Sequence, residues 1–143
     1  MTDQAILAPL FVQVFLTFGL LLWTGRARLL AVRAGNAKGR ELSLGQRNWP
    51  APAQQAANTF ANQFELPVLF YVLTGLALAT RKADLAFVVL AWIFVASRFV
   101  HAGVYLTSNH VPHRFWAYAV GFFVLLAMWI LFAVRIYLAP FGA

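Results

Sequence analysis

Four stretches of the chain carry almost nothing but apolar side chains, and the polar residues gather between them. Ala5 to Thr24 holds no charge, and only Gln13 and Thr17 are polar in its interior. At about 1.5 Å rise per residue, a helix of that length crosses the ~30 Å hydrocarbon core of a bilayer. The stretch lacks a basic leader and a small-residue cleavage site, so it reads as a span and not as a signal peptide. Pro9 falls in its first turns, where a helix tolerates proline. Leu66 to Thr80 is apolar but short, and reaches spanning length only when extended back to Ala56, which takes in Asn58, Asn62, Gln63 and Glu65. The third stretch, Asp84 to Leu106, contains Arg98 and His101, and the fourth, Phe115 to Leu138, is uncharged before Arg135. No series of segments alternates with period two, as a barrel requires. The pattern predicts helices at about 5–24, 56–80, 84–106 and 115–138. Together they form a single all-α integral membrane domain over residues 1–143, a four-transmembrane-helix bundle.

The connections are unequal. Residues 25–55 form a long loop with Arg26, Arg28, Arg33, Lys38, Arg40 and Arg47 against the single acid Glu41. The second connection is a tight turn at Arg81-Lys82-Ala83, and the third, Thr107 to His113, is short and polar. With four spans, the long loop and the third connection share one side of the membrane. That side carries seven basic residues, counting Arg114, and the other carries Arg81, Lys82 and Arg135. The positive-inside rule places the long loop in the cytoplasm and both termini outside.

Composition agrees with a membrane solvent. Hydrophobic residues make up 62% of the 143 and charged residues only 10%, against roughly 25% charged in an ordinary soluble domain. The net charge of +7 would elsewhere raise nucleic acid as a partner. Here the basic residues are few and set among apolar neighbours, so no nucleic acid is expected, and membrane lipids are. The absence of cysteine excludes a disulfide framework, a thiolate metal site and a cysteine nucleophile. His110 and His113 are two potential ligands with no carboxylate nearby, and no metal site is expected. Trp23, Trp116 and Tyr137 read as interfacial anchors, and Arg135 as a side chain that snorkels to the surface.

Ionisable residues inside a bilayer cost about 2.5–3.5 kcal/mol each on insertion scales and are functional candidates by default. Arg98, His101 and Tyr105 fall at i, i+3 and i+7, on one helix face, and so do Asn58, Asn62 and Glu65 at i, i+4 and i+7. Counted from the basic side, Glu65 lies roughly 13 Å deep and Arg98 roughly 12 Å. An ion pair between them is therefore predicted, since neither charge is tolerable alone. A lone pair of this kind would serve only to lock helices together. Here His101 and Tyr105 extend the polar stripe, Arg114 and Tyr118 lie one turn apart at the start of the fourth helix, and Arg28 lies just beyond the first. These residues predict a net-positive pocket open to the cytoplasmic face. It suits a small anion that also bears an ammonium group, with arginine forks on carboxylates and Glu65 on the ammonium. An arginine beside a thiol also favours the thiolate, which would let a cysteine-free protein use a thiol brought by its ligand.

Asn62-x-x-Glu65 followed by Pro67, then Arg98-x-x-His101-x-x-x-Tyr105, resembles the MAPEG superfamily (membrane-associated proteins in eicosanoid and glutathione metabolism). The resemblance extends over the whole chain and is most specific in the arginine–histidine–tyrosine pattern. It implies a homotrimer of four-helix bundles with glutathione bound as co-substrate between subunits. On that resemblance Asn62, Glu65, His101 and Tyr105 match glutathione contacts. Arg114 matches the arginine that stabilises the thiolate, and Tyr118 the aromatic one turn later. Arg28 matches the basic residue closing the first helix, and Arg98 the partner of the second-helix acid. One departure stands out: the turns before Asn62 read Gln54-Gln55-Ala56-Ala57-Asn58-Thr59-Phe60-Ala61, without the arginines many members use for glutathione carboxylates. Asn58 is the remaining candidate there, with a weaker hydrogen bond than a charged fork supplies.

The resemblance implies a membrane-bound glutathione transferase or peroxidase acting on a lipophilic electrophile or lipid hydroperoxide. The compact form, with no retention tail, suggests a bacterial-type member in the inner membrane. Two alternatives remain at this point. One is a relative without catalysis that binds lipid or another thiol ligand. The other is a small proton-coupled transporter using Glu65, against which the strong charge asymmetry of the loops argues.

Overall fold

A computed structural model describes residues 2–36 and 49–138. The described residues form helices and the turns between them, with four segments long and apolar enough to cross a membrane. Helix α1 runs Asp3–Arg33 and α2 runs Ala51–Ala61, followed by a 3₁₀ turn at Asn62–Phe64; α3 is Leu66–Ala79, α4 is Leu85–Leu106 and α5 is Val111–Tyr137. The second span is α2, the turn and α3 taken together.

Helix α1 has 31 residues and measures about 46 Å, well beyond the ~30 Å hydrocarbon core. The sequence pattern ends it at Thr24, where the uncharged run stops. The backbone has no reason to stop there, because Arg26, Ala27, Arg28, Leu29 and Leu30 are strong helix formers. It stops at Gly35, whose φ of +73° few other residues adopt. The Gly35 N–H donates to the Val32 carbonyl and the Asn36 N–H to the Ala31 carbonyl, each at 3.0 Å, a Schellman closure. The expected loop 25–55 therefore loses its first turns to α1 and its last to α2. Its middle, with Lys38, Arg40, Glu41 and Arg47, lies outside the described residues. Helix α2 begins at Ala51, five residues before the expected Ala56, because Pro50 and Pro52 suit a helix start. Helix α5 likewise begins at Val111 and not Phe115, with Pro112 in its first turn.

The second span is not the continuous helix that its pattern predicts. Pro67 has no N–H to offer the Gln63 carbonyl, and its ring would clash there in a regular helix. The chain instead tightens into the 3₁₀ turn and restarts at Leu66, with Glu65 at the cap position.

The core lies where α3, α4 and α5 meet, toward the terminus-bearing side: Phe70, Leu73, Phe94, Ala91, Leu125 and Met128 are buried, and Phe70 stacks on Phe94 at 4.8 Å between centroids. Outward faces are apolar too, with Phe15, Leu22, Trp23, Trp116 and Phe123 exposed, as a helix bundle in lipid requires. Gly121 on α5 allows α4 close: a Cβ there would stand 2.7 Å from Ser97 Oγ. Small residues permit such approach between membrane helices. At the far end, Asp84 caps α4 by accepting from the Phe87 N–H at 2.9 Å. Arg135, expected to snorkel, pairs with Asp84 instead and also donates to the Lys82 carbonyl. The turn Arg81-Lys82-Ala83 brings that acid and carbonyl to the end of α5.

Candidate functional site

The break in the second span places its polar groups. In an unbroken helix Asn58, Asn62 and Glu65 would share a face. The 3₁₀ turn changes the rotation of the chain beyond it, so Asn62 faces α4 while Glu65 stands exposed on the outside of the bundle. The expected ion pair between Glu65 and Arg98 is accordingly not formed. Among the described residues the one ion pair within 4.0 Å is Arg135–Asp84.

Tyr118 lies between the two separated charges. Its hydroxyl donates to Glu65 Oε2 at 3.3 Å, and the Arg98 guanidinium sits 5.4 Å from the centre of its ring. Arg98 itself is fully buried. Its Nη2 donates to the Asn62 main-chain carbonyl at 3.4 Å, a carbonyl in the turn that ends the regular α2 ladder. Nε and Nη1 of Arg98 have no hydrogen-bond partner among the described residues. The positive charge thus sits behind the turn, enclosed by the bundle.

His101, also buried, is engaged at both ring nitrogens. Nδ1 lies 3.0 Å from the Arg114 main-chain oxygen and Nε2 lies 3.3 Å from Asn62 Nδ2. A carbonyl can only accept, so Nδ1 carries the proton, and Nε2 accepts from the Asn62 amide. The imidazole therefore ties the turn of the second span to the first turn of α5. The geometry thus makes His101, itself part of the cleft lining, a clasp between Asn62 and Arg114 as well.

Arg114 is half-buried at the start of α5. Its guanidinium rests 4.2 Å from the centre of the Tyr105 ring, and Nη1 donates to Asn109 Oδ1 at 2.7 Å. Asn109 adopts φ +48°, a left-handed conformation that asparagine tolerates better than most residues. It closes α4 through its N–H, which donates to the Val104 carbonyl at 2.8 Å. Sequence reasoning missed Asn109. The signal was available, since Ser108-Asn109-His110 before Val111-Pro112 is turn chemistry between two helices.

Asn62, His101, Tyr105, Arg114 and Tyr118 line one cleft of about 300 Å³, with Val111 and Phe115 as its apolar edge. Five of the nine predicted site residues thus line a single cavity. Glu65 joins it through Tyr118, and Arg98 lies behind it. Arg28 and Asn58 do not join it within one chain. Both are exposed; Arg28 lies over the Trp49 ring at 5.1 Å, and Asn58 Oδ1 accepts from Gln54 Nε2 at 2.8 Å. The cleft combines a cation held by one hydrogen bond and an aromatic face, a tyrosine hydroxyl, an outward carboxylate and an apolar lip. Such a set can bind a zwitterionic anion and admit a hydrophobic molecule beside it.

The sequence matches no curated protein and no solved structure. A family model does match, over residues 6–134, which reaches into all four spans and takes in every residue of the cleft, and the chain belongs to the MAPEG family.

Proposed function

We propose that the protein is a membrane-bound glutathione transferase, with peroxidase chemistry open to the same site. Glutathione would enter from the cytoplasm at the end of the bundle that bears the long loop, leaving both termini on the other side of a bacterial inner membrane. The observation that carries the reading is Arg114. Its guanidinium stands at the mouth of the cleft, oriented by Asn109 and Tyr105 and paired with no carboxylate among the described residues. A cation held this way favours the thiolate of a bound thiol over the thiol. The sulfur then attacks a lipophilic electrophile arriving past Val111 and Phe115, and the leaving group departs with the electron pair of the broken bond. Tyr118 supplies a hydroxyl near the same place, and Glu65 suits the ammonium of the γ-glutamyl end.

Assembly as a homotrimer belongs to this proposal. Glu65 is exposed on an isolated bundle, and at the roughly 13 Å depth that its place in the second span implies, a charge facing hydrocarbon is expensive. A neighbouring copy covering that side removes the expense, and can bring Arg28 and Asn58 of one copy toward the cleft of the next.

The test is conjugation of a chlorodinitrobenzene-type electrophile by purified protein. The rate should depend on glutathione and fall at least about tenfold in Arg114→Ala, as loss of a charge-assisted contact made in the transition state implies. No turnover by the wild type would remove the catalytic reading. A second reading, a member that binds a thiol compound or lipid without catalysis, draws on one observation: no base stands in the turns before Asn62, and Asn58 already accepts from Gln54. Glutathione binding without turnover would select it.

A further inference from the structure

Gln13 lies in the middle of α1 and is completely buried. Its Nε2 donates to Gln63 Oε1 at 2.8 Å. Gln63 is equally enclosed and donates through Nε2 to the Thr59 carbonyl at 3.2 Å. Gln63 is also the central residue of the 3₁₀ turn, directly after Asn62 and two residues before Glu65. The turn has lost part of the hydrogen-bond ladder that would hold a helix in place. Three contacts from neighbouring helices hold it instead. On α4, Arg98 grips the Asn62 carbonyl and His101 accepts from the Asn62 amide, and on α1 Gln13 grips the Gln63 side chain.

Packing alone does not account for Gln13. Its Oε1 is buried without a partner among the described residues, and an unsatisfied amide oxygen in an apolar interior is a penalty that leucine or methionine would avoid. What the amide adds is a direction. We infer that Gln13 is a positioning residue for the cleft: by holding Gln63 it sets the rotation of the turn, and so aims the Asn62 amide at His101 and turns Glu65 toward Tyr118. Its effect on ligand affinity rests on the glutathione reading above; its effect on His101 does not.

The experiment uses full-length protein with ¹⁵N-labelled histidine, in which the chain's three histidines report their ring protonation by NMR. In the wild type, His101 should show a protonated Nδ1 and an accepting Nε2. Gln13→Met keeps the unbranched shape and removes the hydrogen bond. It should retain helical content, shift the His101 ring signals and weaken glutathione binding about fivefold, as loss of one buried hydrogen bond implies. Gln13→Glu should restore both, because a carboxyl kept neutral in this interior can donate its O–H to Gln63 Oε1. A folded Gln13→Met with wild-type His101 signals overturns the inference. If Gln13→Met does not fold, Gln63→Met cuts the same contact from the turn side, and unchanged His101 signals there overturn it equally. If the wild type binds no glutathione, the proposed function fails, and the His101 signals still decide the role of Gln13.

Discussion

His101 on α4 is bound through Nδ1 to the main-chain oxygen of Arg114 on α5, 3.0 Å away. A side chain that lines the cleft thereby also joins two helices. Its other nitrogen accepts from Asn62, so one ring fixes the spacing between the turn of the second span and the arginine at the mouth of the cleft. The site is held by main-chain contacts as much as by side chains.

Replacing that ring by a non-bonding one of similar shape should separate packing from hydrogen bonding. His101→Phe leaves the Asn62 amide without its acceptor and the Arg114 carbonyl without a side-chain donor. Thermal unfolding in detergent should show a loss of about 1–3 kcal/mol, the usual penalty for stranding buried polar groups, and glutathione affinity should fall about tenfold. Unchanged affinity would mean that the clasp does not set the position of Arg114 or Asn62.

Arg98 should behave differently. It is fully buried and, among the described residues, forms no ion pair and leaves two nitrogens unpartnered. A guanidinium buried with two nitrogens unpartnered carries a desolvation penalty that an apolar side chain of similar length avoids. Arg98→Met should therefore change stability by no more than about 1 kcal/mol while weakening ligand binding, because the turn loses its hold on the Asn62 carbonyl. A large loss of stability would show that Glu65 depends on Arg98 for its charge balance despite the separation.

Gly121 sets the approach of α4 and α5. In Gly121→Ala the new methyl would meet Ser97 Oγ at 2.7 Å. That hydroxyl now donates to the Phe94 carbonyl at 2.6 Å and can rotate away only by giving up this bond. The expected loss is about 1 kcal/mol in thermal unfolding. Ser97→Ala in the same protein should recover most of it, because the clashing atom is gone. Additive losses would contradict the packing described.

The four spans were legible because hydrophobic runs report lipid contact directly, and the polar faces on the second and third spans marked where the site lies. What was not legible has specific causes. The end of α1 is set by Gly35 in a left-handed conformation and not by the edge of the apolar run. The Glu65–Arg98 pair follows from helical spacing only if the second span is continuous, and Pro67 interrupts it beside Glu65. Arg135 was read from its own segment, while its partner Asp84 belongs to a turn 51 residues earlier. Gln13 was visible as a polar residue in an apolar run, but its partner lies 50 residues away. Helical periodicity contains no information about which turn of another helix it meets.

The proposed function places glutathione in the cleft around Arg114. Calorimetric titration of the purified wild type with glutathione tests it most directly, with thermal unfolding as a second readout. The account predicts saturable heat at millimolar glutathione and a rise in unfolding temperature following RT ln(1 + [L]/Kd). Both should be reduced in Arg114→Ala and in Asn62→Ala. No heat and no thermal shift in the folded wild type at millimolar glutathione would contradict it.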